Sequence, residues 1–146
     1  MNKIFEHILI PYNGSPGSQK AFKKAITLAQ MTKAKATVFT CLEDRSTFGL
    51  FKTKANKKEY EDEHKLVLQK HIELTKHAKN HTVSLNCKIV KNNMASHAIL
   101  EFAEKHNVDL IIMGKTKLVS HYEKMYYPST IENVSKNFHG DILILN

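Results

Sequence analysis

The chain has 146 residues, of which 42% are hydrophobic and 25% charged, enough for one core burying roughly 70% of the unfolded surface and too apolar for a disordered chain. Its formal charge of +8 invites a phosphate-rich partner, yet only Arg45 among the 22 basic residues is arginine and the lysines are scattered; without a recognition motif or interleaved stacking aromatics, solvated lysine faces are expected and nucleic acid is not. No run reaches the roughly 18 apolar residues of a spanning helix, Glu6 and His7 interrupt any signal-peptide core, and Cys41 and Cys87 lack metal or CxxC spacing, so the expectation is one cytoplasmic domain over residues 1–146, with no membrane partner and with buried free thiols.

The first element, Ile8 to Pro11, is continuously apolar and of strand length, the pattern of a strand covered on both faces. It runs into Tyr12-Asn13-Gly14-Ser15-Pro16-Gly17-Ser18, where Ser15 suits a helix N-cap, Pro16 the first helical position, and Gly14 a left-handed backbone or close ligand approach. Ala21, Phe22, Ala25, Ile26 and Ala29 give that helix one apolar face. A strand from Ala36 to Leu42 follows, then a connection through Phe48, Leu50 and Phe51 that reads as a packed turn or a lid. From Glu59 to Asn80, Val67, Leu68, Ile72, Leu74 and Ala78 recur at helical spacing, with His71 flanking the stripe. His77 and His81 are one turn apart but lack a third ligand, so a structural or solvent-exposed pair is expected rather than a metal site.

Between Val83 and Val90, apolar Val83, Leu85, Cys87 and Ile89 alternate with polar residues, as in a half-exposed edge strand. Ala95, Ala98, Ile99, Phe102 and Ala103 mark the next helix, and Leu110 to Met113 a second strand buried on both faces. Thr130, Ile131, Val134 and Phe138 mark a final helix, with Ser129 and Glu132 spaced as a capping box at its start, and Ile142 to Leu145 closes the chain as a strand. Met125, Tyr126 and Tyr127, just before Ser129, read as packing residues.

Strands alternating with helices argue for a parallel sheet covered by helices on both faces. The first and fourth strands are the central pair, so the loops after Pro11 and after Met113 converge where the winding reverses and ligands bind in open α/β sheets. One loop supplies a helix N-terminus, suited to an anion; the other supplies Gly114, Lys115, Thr116 and Lys117. A P-loop is excluded, because its first glycine would fall at Asp109, and the three-glycine dinucleotide fingerprint is absent. No nucleophile with a base and no clear general base stands in these loops, which argues against a dedicated enzyme.

Ile8 to Ser15 followed by an alanine-rich helix, then Ala98 to Ala103, Asp109 to Gly114 and Pro128 to Leu145, together resemble the universal stress proteins over nearly the whole chain. The resemblance implies a three-layer α/β sandwich with a five-stranded parallel sheet of order 3-2-1-4-5, and a stress-response homodimer formed through Ile142 to Leu145. It also implies adenine-nucleotide binding, ATP or AMP, with magnesium only alongside nucleotide. The implied nucleotide-binding positions are Pro11, Tyr12, Asn13, Gly14, Ser15, Leu42, Met113, Gly114, Lys115, Lys117, Ser129 and Thr130. The family's phosphate motif, Gly-x2-Gly-x9-Gly-(Ser/Thr), is altered. Gly114 stands for its first glycine and Ser129 for its hydroxyl, but Lys117 and Pro128 replace the other glycines and the spacer is one residue longer. Asn13 replaces an acidic residue common after the first strand. Lys115 and Lys117 add charge where amides are lost. A ligand-free dimeric interaction module with a decayed motif, or a weak ATP hydrolase, is the alternative that these departures leave open.

Overall fold

The computed structural model describes residues 4–42, 54–92, 94–115 and 127–146. In chain order these form β1 (His7–Pro11), α1 (Pro16–Thr32), β2 (Lys35–Leu42), α2 (Lys54–Asn80), β3 (Leu85–Lys91), α3 (Ala95–Lys105), β4 (Leu110–Gly114), α4 (Tyr127–Asn137) and β5 (Asp141–Leu145). The strands pair in parallel in the order β3-β2-β1-β4-β5, as expected. Two moves outward from β1 and two back through β4 place α1 and α2 over one face and α3 and α4 over the other.

Strand alternation divides the core accordingly. Ile8, Ile10, Ala36, Val38, Leu110 and Ile112 pack under α1 and α2, whereas Leu9, Phe39, Ile111 and Met113 pack under α3 and α4. Ile8, Leu9, Ile10, Ile111 and Ile112 are fully buried, which explains the continuous apolarity of β1 and β4. The face foreseen for α1 is buried at all five positions: Ala21, Phe22, Ala25, Ile26 and Ala29.

Three helices end alike. Lys33, Thr82 and Asn107 take left-handed φ values of 61°, 57° and 52°. The amide of the following residue reaches back to an alanine carbonyl: Ala34 to Ala29, Val83 to Ala78, and Val108 to Ala103, at 2.9–3.1 Å. This six-to-one bond closes the helix and turns the chain into the next strand. All three turns lie at the end of the sheet opposite the loops after β1 and β4.

That same end is fastened by Asp109, whose carboxylate oxygens accept from the Glu6 and His7 amides at 2.9 and 3.0 Å. The His7 ring donates from Nδ1 to the His106 carbonyl at 3.0 Å and accepts at Nε2 from the Thr37 hydroxyl at 2.7 Å.

Four local expectations are corrected. The second helix begins at Lys54 rather than Glu59, and its buried stripe is His71, Leu74 and Ala78, while Leu68 and Ile72 are 45% and 57% exposed. The sheet accepts an imidazole there because Thr40 offers it a hydrogen-bond partner. Val83 is buried but precedes β3, in the turn set by Thr82. Cys87 is exposed, because β3 is an edge strand among the described residues, and Cys41 on β2 is half-buried. Finally, α4 starts at Tyr127, so Ser129 lies inside the helix instead of capping it, and Glu132 pairs with Lys136 at 2.9 Å. The His77 and His81 rings are tilted against each other by 36°, with centroids 4.4 Å apart, and among the described residues no group of three potential ligands is placed to hold a metal. The Phe48 to Phe51 connection and Met125 and Tyr126 lie outside the described residues.

Burial pushes the imidazole pKa values of His7 and His71 below the ordinary 6.5. Both groups bind protons more readily when unfolded, so their stabilising effect is complete above pH 6.5 and is lost as pH falls through their lowered folded values. The melting temperature should therefore drop between roughly pH 7.5 and pH 5.5, and a His7→Gln/His71→Gln double variant should show a flatter dependence. An equal slope in the two proteins would contradict this account.

Candidate functional site

The site is built where β1 and β4 stop side by side, with Ile8 opposite Leu110 and Leu9 opposite Ile111. One wall is the turn after β1. The Tyr12 amide donates to the Phe39 carbonyl at 2.8 Å, and the Thr40 hydroxyl donates to the Tyr12 carbonyl at 2.8 Å, so β2 holds this turn in place. Because the Thr40 proton is committed to Tyr12, His71 Nε2 donates to Thr40 Oγ1 across 3.0 Å. A chain of hydrogen bonds thus runs from α2 through β2 into the loop. Sequence reading missed it; the available signals were a threonine in an apolar strand and a histidine beside an apolar stripe.

The next residues satisfy one another. Asn13 Oδ1 accepts from the Ser15 amide at 3.0 Å, Gly14 sits at φ +82°, and Gln19 Nε2 donates to the Gly14 carbonyl at 2.8 Å. Ser15 caps α1 as foreseen, accepting from the Ser18 amide at 3.2 Å, while the Gln19 amide bonds the Ser15 carbonyl at 2.9 Å. Pro16 has no amide hydrogen. The first turn of α1 therefore offers an anion few donors, although its dipole still favours one.

The other wall starts at Gly114. Glycine is required here by packing: a Cβ on Gly114 would overlap the Gly17 carbonyl, and a Cβ on Gly17 would lie 2.5 Å from the Lys115 carbonyl oxygen. The start of α1 is pressed against the end of β4, backbone on backbone. Lys115 is exposed, and its amide donates to the Leu145 carbonyl at 2.8 Å. Lys20 Nζ donates to the Asn146 carbonyl at 2.8 Å, adding a second cation at this end.

The twelve candidate positions do not all face one crevice. Pro11, Asn13, Gly14, Ser15, Gly114 and Lys115 gather around the strand ends. The Tyr12 ring turns away beneath α1, edge-on to Phe22 at 6.4 Å, in a cavity of about 200 Å³ shared with Gln19, Lys70 and Leu74. Its hydroxyl is buried without a hydrogen-bond partner among the described residues, and burial raises its pKa. Leu42 is buried at the end of β2, and Met113 points into the α3–α4 core. Thr130 is half-buried in α4, Ser129 belongs to that helix, and Lys117 lies outside the described residues.

A parallel sheet with a winding reversal between β1 and β4 and helix-capped loops at that point defines an open α/β binding fold. The universal stress protein family model matches residues 4–146, and the chain belongs to that family. Universal stress protein MJ0531 of Methanocaldococcus jannaschii is 28% identical over 145 residues, covering 97% of this chain and 82% of the relative. Universal stress protein UspA from Lactobacillus plantarum superposes with a TM-score of 0.80 at 19% identity, covering 99% of this chain and all of that one. The universal stress protein from Archaeoglobus fulgidus in complex with dAMP gives 0.63 at 11% identity, covering 98% of this chain and 99% of the other. Among the described residues no helix is long and apolar enough to cross a membrane.

Gly17→Ala and Gly114→Ala should each destabilise the protein by about 2–4 kcal/mol through backbone overlap. Chemical denaturation without any ligand measures this; a loss below about 0.5 kcal/mol would show that the glycines serve something other than this contact.

Proposed function

We propose that this universal stress protein binds an adenine nucleotide at the reversal between β1 and β4, as a homodimer. The observation that carries the reading is the convergence of the Pro11–Ser15 turn and the Gly114–Lys115 strand end at that point. The bound dAMP named for the Archaeoglobus fulgidus relative supports the ligand class. Because the Ser18 and Gln19 amides of α1 are already committed, phosphate binding falls to the residues that follow β4: Lys115 and Lys117 supply charge, and Ser129 and Thr130 supply hydroxyls. Pro11, Tyr12, Asn13, Gly14 and Ser15 form the β1 wall through backbone and amide groups, and Leu42 and Met113 stiffen the strand ends beneath. Magnesium enters only with the nucleotide, since Asn13 provides no carboxylate.

A ligand-free interaction module is the second reading, favoured by the self-satisfied Asn13–Ser18 turn and the closed Gly17–Gly114 contact. Calorimetry with ATP and AMP, with and without magnesium, separates the two. Saturable binding weakened about tenfold by Lys115→Ala is expected; no heat at ligand on the order of 1 mM would leave only the module.

The dimer reading rests on β5, a terminal strand with Leu143 and Ile144 37% and 36% exposed. An apolar, unpaired edge favours a second copy. Light scattering after size exclusion should give twice the chain mass, and Ile144→Lys should give the monomer. A monomeric unmodified protein at about 100 μM would refute dimerisation through β5.

A further inference from the structure

The opposite edge of the sheet carries a second surface that the strand-end site does not use. Between α2 and β3 runs a groove of about 660 Å³. Leu68, Ile72 and Ile89 line it with apolar surface, and Lys76 and Lys79 of α2 flank it; among the described residues no acidic group lines it. Lys88, in register with Phe39, projects from the opposite face of β3. Leu68 and Ile72, one helical turn apart, are 45% and 57% exposed, more than β3 and α2 need for packing on one another.

The groove lies along a strand edge with which no described strand pairs. The Ala36 amide donates to the Ser84 carbonyl and the Asn92 amide to the Leu42 carbonyl. Continuing that alternation along the parallel pair directs the backbone groups of Asn86, Lys88 and Val90 toward β2. The N–H and C=O groups of Cys87 and Ile89 then point away from the sheet, and the side chains of these same two residues line the groove. A chain that paired with this edge would place every second side chain over Leu68 and Ile72.

We propose that the α2–β3 edge binds an extended acidic segment of a partner protein by strand addition, with alternate apolar side chains in the groove and the intervening carboxylates on the other face of the sheet, beside Lys88. Edge lysines ordinarily block self-pairing. Here they also select the partner: a second copy of this +8 chain would bring like charges together, whereas an acidic strand gains from the same groups. The apolar groove supplies the affinity that backbone pairing alone lacks.

The probe is a fluorescein-labelled peptide of about eight residues alternating leucine and glutamate, matched to the length of β3, with a leucine–lysine peptide as its counterpart. The full chain should bind the acidic peptide saturably by anisotropy and the basic peptide at least about tenfold more weakly. Ile72→Asp and Lys88→Glu, both at exposed positions, should each weaken the acidic peptide about tenfold. Amide hydrogen exchange at Cys87 and Ile89 should slow in the saturated complex, which distinguishes strand addition from attachment to the groove alone. Absence of saturable binding up to about 1 mM, equal binding of both peptides, or unchanged exchange at Cys87 and Ile89 overturns the proposal.

Discussion

The pairing of β1 with β4 is the join on which this fold depends, because it links strands separated by about a hundred residues and sets where the winding reverses. Asp109 fastens it from one end. A single carboxylate accepting two amides of the approaching β1 chain leaves one register for Ile8 against Leu110, and the Asp109 amide returns a bond to the His7 carbonyl at 3.2 Å. Charge-assisted bonds to backbone are about twice as strong as neutral ones, and a slip by one residue would invert every buried isoleucine of β1. His7, bonded to Thr37 as well, extends the fastening to β2.

At the other end of the join the chain is held differently. There the contact of Gly17 with Gly114 brings α1 against β4 without side chains between them. This presses the start of α1 onto the strand end that bounds the candidate site. The hydrogen bonds from His71 through Thr40 to Tyr12 hold the β1 wall of the same site from α2. The two ends of the sheet thus differ: left-handed helix stops and a half-buried carboxylate beside a buried histidine at one, compact turns and lysines at the other. In open α/β folds the second kind of end is where chemistry resides.

Most of the architecture was legible because buried strands and amphipathic helices impose period and polarity directly on the chain. β1, β4 and α1 were read with their buried residues correct, since each is covered on a long apolar face. The phase of α2 was misread because Leu68 and Ile72 share the helical spacing of a core stripe, whereas His71, a polar residue, occupies the stripe itself. Hydrophobicity alone ranks these three the wrong way; only the Thr40 partner makes the imidazole acceptable inside. Cys87 was expected inside for the same reason and lies outside because, among the described residues, β3 has a neighbour on one side only. The helix stops at Lys33 and Thr82 had no glycine to announce them.

The sequence by itself determined the class of fold, the capped turn at Asn13 to Ser15 and the glycine at 114, because local geometry and periodic burial act over a few residues at a time. Only the tertiary structure decided what those features face. Gly114 meets Gly17 across the sheet end, Tyr12 turns its ring away from the strand ends, and Ser129 sits within a helix instead of before it. Such assignments depend on contacts between residues far apart in the chain, and spacing along one strand or helix carries no information about them.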